Sequence, residues 1–210
     1  MAKDTKSQVD QNRKKVILDL CGGSGSWSKP YKEAGYDVRL VTLPDHDVRT
    51  YKPPENVHGI LAAPPCTEFS VAKGSTKRDF VSGLEIVEAC LKIIWHSRIF
   101  CGLQWWCLEN PLGFLRQFLG IPKYTFEQWQ FGEFLIKRTD LWGYFKSPRP
   151  TTKIKPSKEM TKRYPNGKTN ARCWARPNCP KEYENMNLSR SDIRAITPQR
   201  FARAFFKANP

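Results

Sequence analysis

The chain has 210 residues, enough for one substantial domain and a small appendage, and 40% hydrophobic content with seven tryptophans excludes a disordered polymer. Its 35 Lys and Arg against 20 Asp and Glu leave a net charge of +15, which favours a polyanionic partner: DNA, RNA or an anionic membrane face. No apolar run is long enough to span a bilayer, residues 1–15 are polar rather than signal-like, and the seven cysteines lack a secreted-scaffold pattern, so free thiols in a cytoplasmic, reducing compartment are expected.

Residues 1–14 read as a mobile polar tail. Val16 to Leu20 is a short apolar run typical of a buried parallel strand, and it enters the glycine-rich turn Cys21-Gly22-Gly23-Ser24-Gly25-Ser26. Residues 28–34 follow as a helix with Pro30 in its first turn and Gly35 at its end. Val38 to Val41 and Val57 to Ala62 are the next strands, the latter ending at Pro64-Pro65-Cys66. Residues 79–100 have helical periodicity, and Leu103 to Leu108 is a strand that Glu109-Asn110-Pro111 follows. A short helix reaches about Leu119, and residues 125–131 and 140–145 read as strands. Alternating strands and helices over 15–145 predict an α/β, Rossmann-like sheet with helices on both faces. Ligands of such sheets sit at the carboxyl ends of the strands, where three chemically loaded segments converge.

Residues 146–195 change character. Proline punctuates a basic, Asn-rich stretch, for which irregular structure is expected, and residues 146–210 hold 16 Lys and Arg against 4 Asp and Glu. That division suits a catalytic core with a small basic docking segment. Residues 197–208 read as a final helix packing back on the core, with Thr197 as N-cap and Pro198 in the first helical position. Cys173 and Cys179 lack both the spacing and the further ligands of a zinc site.

Two prolines stiffen the backbone before Cys66, so its thiol can be an aimed nucleophile, whereas Cys90, Cys101 and Cys107 read as buried structural cysteines. A carboxyl group at Glu109, behind an apolar strand, would have a raised pKa and could donate a proton; helix capping or ion pairing is the plainer use. The glycine turn lets backbone approach a ligand, as many adenosine sites do.

In order, Asp-Leu with Gly-x-Gly, then Pro-Pro-Cys-x-x-Phe-Ser, then Glu-Asn-Pro resemble the DNA cytosine-C5 methyltransferase family over about residues 15–145. The compact phage and viral members are closest, at GSGSWSKPYKEAGYDV, PPCTEFSVAK, ENPLGFL and QFGEFLIKRTDLWGYF, with a weaker echo at Ile193-Arg194 and Ile196-Thr197-Pro198. The resemblance implies a class I methyltransferase sheet, S-adenosylmethionine as cofactor, duplex DNA as partner, a monomer and no metal. Cys66 would add to C6 of a flipped-out cytosine, Glu109 would protonate the base near N3, Asn110 would hold the catalytic loop, and Lys137 or Arg138 would stand beside the base.

The cofactor would be lined by Asp19, Leu20, Cys21, Gly22, Gly23, Gly25, Trp27, Thr42, Asp47, Val48, Pro64 and Ser70, with Asp47 at the adenine amino group. Ser70, Lys73, Arg172, Trp174 and Arg176 would face the nucleic acid, the last three interleaving an aromatic with cations. The sequence departs from the family pattern at Cys21, where a Phe usually stacks on adenine, and at Thr42, where an acid usually holds the ribose. The large target-recognition domain is missing, so short or relaxed sequence recognition is expected. Three alternatives stay open: methylation of tRNA, a non-catalytic DNA-binding subunit, and transfer of a group other than methyl.

Overall fold

The computed structural model describes residues 7, 9–133, 137–154, 161–163, 169–171 and 181–210. Eight strands are β1 Val16–Leu20, β2 Asp37–Val41, β3 Val57–Ala62, β4 Trp105–Pro111, β5 Tyr124–Glu127, β6 Arg138–Tyr144, β7 Thr161–Arg163 and β8 Thr169–Ala171. Among the described residues, α1 is Lys29–Glu33, α2 Phe80–Phe100, α3 Arg116–Leu119, α4 Arg190–Ala195 and α5 Gln199–Ala208, and residues 9–12 are also helical.

The first six strands form one mixed sheet in the order β2-β1-β3-β4-β6-β5. β2, β1, β3 and β4 are parallel, while β6 runs antiparallel between β4 and β5. Every residue of β1 is buried, because the sheet is covered on both faces. Val16, Leu18 and Leu20 point to one layer, with Val87, Cys90 and Ile94 of α2. Ile17 points to the other, where Trp27 and Tyr31 meet Phe201 and Phe205 of α5. This bears out the α/β sheet with helices on both faces, and Cys90, Cys101 and Cys107 are indeed buried.

The C-terminal end is locked to this frame. The Tyr31 hydroxyl donates to the Asn209 carbonyl (2.7 Å), and the Asn209 side chain bonds the Lys146 N–H (2.7 Å) and carbonyl (2.9 Å). α2 begins where expected, with Asp79 as N-cap accepting from the Ser82 N–H (3.1 Å).

Four expectations need correcting. β4 extends through Pro111, so Glu109-Asn110-Pro111 end the strand instead of following it, because β6 pairs them in register with Leu141, Asp140 and Thr139. The expected strand over 125–131 stops at Glu127; Gln128–Phe131 is a 3-10 turn fixed by a Glu127–Gln130 capping box. The final helix starts at Gln199, since the Thr197 N–H donates to Ser26 Oγ (2.8 Å) instead of Thr197 capping the helix. Within 146–195 the hairpin β7–β8, a 3-10 turn at Lys181–Met186 and α4 are regular, the last nucleated by a Ser189–Asp192 capping box.

Among the described residues no helix is long and apolar enough to cross a membrane, and no three His, Cys, Asp or Glu are grouped as metal ligands.

Gly59 of β3 faces Trp105 of β4, and a Cβ there would lie 2.2 Å from the indole. Gly59→Ala is expected to lower unfolding free energy by about 1–3 kcal/mol through overpacking, read as an earlier urea midpoint at unchanged slope.

Candidate active site

β2 and β3 flank β1 on opposite sides, so the chain reverses its direction of travel across the sheet between β1 and β3. That reversal opens a crevice at the carboxyl ends of these strands. The glycine turn leaves β1 there, Pro64-Pro65-Cys66 leaves β3, Glu109-Asn110-Pro111 closes β4, and Lys137-Arg138 enters β6 at the same rim because β6 is reversed.

At the glycine turn, Cys21, Gly23 and Gly25 adopt left-handed backbone with φ of 57°, 53° and 66°. A Cβ on Gly22 would lie 2.2 Å from Asp19 Oδ1, so only glycine lets the turn close over that carboxylate. Asp19 is fully buried; Ser28 Oγ donates to its Oδ2 (2.5 Å), while Oδ1 has no hydrogen-bond partner among the described residues. Burial raises its pKa to about 6, against the smaller opposing effect of Ser28. Leu20 and Val48 are core residues below the turn.

The other expected cofactor residues divide. The Cys21 thiol is hydrogen-bonded with Cys90, which lowers its pKa. The Thr42 carbonyl accepts from the His46 N–H (2.9 Å). Asp47 is clasped by Arg49, whose Nε lies 3.0 Å from each carboxylate oxygen, and this holds its pKa near 2. Trp27 is not at the crevice surface: its ring is 2% exposed and packs edge-on against Phe205 at 5.4 Å. An amphipathic aromatic beside a glycine turn looks available in sequence, but α5 returns to cover it.

The Cys66 loop is tightly built. The Cys66 carbonyl accepts from the N–H groups of Phe69 (3.0 Å) and Ser70 (2.8 Å). Ser70 Oγ caps the short 3-10 turn Val71–Lys73 through the Ala72 N–H (3.2 Å). Lys73 forms an ion pair with Glu68 (2.5 Å). Two contacts clamp this loop to the end of β4. Asn110 Nδ2 donates to the buried Pro64 carbonyl (3.0 Å), and Ser70 bridges Gly113, whose added Cβ would lie 2.1 Å from the Phe69 carbonyl oxygen. Asn110 is itself fully buried, and its Oδ1 has no hydrogen-bond partner among the described residues.

Charges meet at the thiol. Burial, and then the negative charge of Glu109, push the Cys66 pKa up; Lys137 and Arg194 pull it down. Glu109 is raised chiefly by burial and then by Asp140, against Lys137. Cys66, Glu109, Lys137 and Arg194 therefore form one electrostatic group. Lys137 Nζ donates to the Arg194 carbonyl at the end of α4 (3.4 Å). Arg138 turns aside toward Glu127 (3.4 Å) and is exposed.

Sequence reasoning missed several participants. Ser28 holds Asp19, Arg194 arrives from a segment expected to be irregular, and Gln199 Nε2 bonds the Ser26 carbonyl (3.1 Å). Beneath Asn110, Arg116 makes two 2.6 Å bonds to the fully buried Asp140, which also accepts from Thr125 Oγ1 (2.7 Å). The local signals for these were the weak family echo at Ile193-Arg194 and the Ser189-x-x-Asp192 capping pattern. Arg172, Trp174, Arg176, Cys173 and Cys179 lie outside the described residues.

Comparison with models of known protein families finds no match, and neither does a search of curated proteins.

Alkylation of Cys66 by iodoacetamide reads these charges directly, because only the thiolate reacts. Glu109→Gln should move the alkylation profile to lower pH and Lys137→Gln to higher pH, with the reacted residue identified by peptide mass mapping. Asp19 supplies a stability signature. Its pKa is above the usual 3.8, so its contribution is most favourable below about pH 4 and is lost as pH rises through 6. From pH 4 to pH 7, urea unfolding should therefore shift in favour of Asp19→Asn over wild type by on the order of 3 kcal/mol.

Proposed function

We propose that the protein is an S-adenosylmethionine-dependent methyltransferase acting on C5 of cytosine in DNA, with Cys66 as nucleophile. The observation that carries this reading is the convergence, at the carboxyl ends of the sheet's strands, of a partly buried thiol, a carboxyl group with a raised pKa and a lysine, each from a different strand end. Motif order in the sequence supports the same chemistry, and the excess of cations beyond residue 145 supports a polyanionic substrate.

The residues at the glycine turn fit the cofactor. Asp19 Oδ1 is a buried acceptor without a partner among the described residues, and Gly22 beside it carries no side chain. Asp19 and the 21–25 backbone would hold the amino-acid and ribose portions, with Cys21 and Val48 near the adenine. Bound there, S-adenosylmethionine supplies an electrophilic methyl group.

The remaining chemistry belongs to side chains of this chain. Deprotonated Cys66 attacks C6 of the base, forming the S–C6 bond and moving the ring's electron pair toward C5. Glu109, whose protonated form burial favours, gives a proton to N3, so that no full negative charge accumulates on the ring. When a base removes the C5 proton, the S–C6 bond breaks to release the Cys66 thiolate and the N3 proton returns to Glu109, so no carboxylate charge opposes the departing sulfur. Lys137 offsets the anionic states of both groups. Asn110, through Pro64, sets the distance between the thiol and the acid. The target carbon is inaccessible in a paired duplex, so the base is extruded before reaction.

Transfer of tritiated methyl to duplex DNA, followed by nucleoside analysis, tests the proposal. Wild type should yield 5-methylcytosine, and Cys66→Ala should lose at least about 1,000-fold in rate, as expected for removal of a nucleophile. Label in tRNA alone would move the substrate to RNA, and label in neither would overturn the reading.

A further inference from the structure

Four phenylalanines form a ladder from beneath the Cys66 loop to the surface. Phe69 is fully buried and stacks on Phe80 with ring centres 6.1 Å apart. Phe80 in turn meets Phe114 at 5.8 Å and Phe118 at 5.5 Å. Phe69 is core and Phe80 is partly buried against it, whereas Phe114 is 39% and Phe118 45% exposed. The outer rings are fixed relative to the nucleophile, because the Phe114 N–H donates to the Phe69 carbonyl (2.8 Å) three residues from Cys66.

A cation completes the surface. The Arg78 guanidinium lies 4.6 Å from the centre of the Phe114 ring. It is held in place by bonds to the carbonyls of Glu68 (2.7 Å) and Gly74 (3.2 Å). Lys77, beside it, is exposed. Lys73 pairs with Glu68, and Arg78 and Lys77 outnumber the neighbouring Asp79, so the patch is net positive.

We propose that Phe114, Phe118 and Arg78 form a stacking platform for an unpaired nucleobase of the strand that carries the reacting base. The platform rests on the nucleic-acid reading above and adds a binding surface to it. Flat aromatic area combined with a fixed guanidinium suits a base next to its phosphate, since every base offers a π-face and every nucleotide a negative charge. A neutral apolar partner would gain nothing from Arg78 and Lys77. The position also matches a need of the reaction: extruding one base removes the stacking partner of its neighbour, and the ladder ends beside the loop where that occurs.

Fluorescence anisotropy with a short single-stranded oligonucleotide containing 2-aminopurine tests the platform without requiring catalysis. The doubly substituted protein Phe114→Leu with Phe118→Leu keeps apolar volume but removes both ring faces. It should bind about tenfold or more weakly and lose 2-aminopurine quenching, while Phe118→Tyr retains both. The salt dependence of binding should be the same in wild type and the leucine variant, because no phosphate contact is removed. Equal affinity and equal quenching in the leucine variant, with wild-type binding intact, would overturn the platform alone. If wild type binds neither single strand nor duplex, the platform and the nucleic-acid reading both fall.

Discussion

Burial of β1 on both faces is the constraint on which the rest of the structure depends. A strand with helices above and below it must pair on both edges, and the chain does so by sending β2 to one side and β3 to the other. That choice creates the crevice at the carboxyl end of β1. It also forces Asp19, the one charged residue of the strand, into a dry position where its carboxyl pKa rises to about 6. A buried acid with one unpaired oxygen is costly to fold, and a structure retains it where a ligand gains from it.

The antiparallel strand β6 is the second determinant. By running back between β4 and β5 it brings Lys137 to the rim that already holds Cys66 and Glu109, and it sets Asp140 beneath Asn110, where Arg116 neutralises it. The C-terminal segment then closes the site from outside the sheet. Arg194 touches Lys137, Thr197 and Gln199 bind Ser26, and α5 seals the layer below Trp27. The glycine turn, the nucleophile loop and the basic C-terminal part are thereby tied through hydrogen bonds between distant parts of the sequence, so a change at Arg194 is felt at Cys66.

How much of this was legible in sequence follows from the range of each interaction. β1, β3 and α2 declare themselves through apolar runs and a 3.6-residue period, and their ends place Cys66 and the glycine turn without further help. Glu109 and Asn110 were identified as chemically loaded, but their placement within β4 depends on pairing with residues some thirty positions later. Trp27 read as a ligand contact because nothing near it in sequence reveals the returning Phe205. The Asp19–Ser28 bond spans a turn whose shape is set by left-handed residues, one of them Cys21, a residue type that does not advertise such a conformation. Composition suggested irregular structure at 190–195, and a local capping box overrode it.

The central claim is that Cys66 bonds covalently to the base, and a mechanism-based trap tests it most directly. In an oligonucleotide containing 5-fluoro-2′-deoxycytidine, the fluorine at C5 cannot be removed as a proton, so sulfur cannot leave after methyl transfer. With S-adenosylmethionine present, a denaturant-stable protein–DNA complex should form, with the modified peptide containing Cys66. Absence of that complex while the protein binds the oligonucleotide, or a crosslink at another residue, would contradict the assignment.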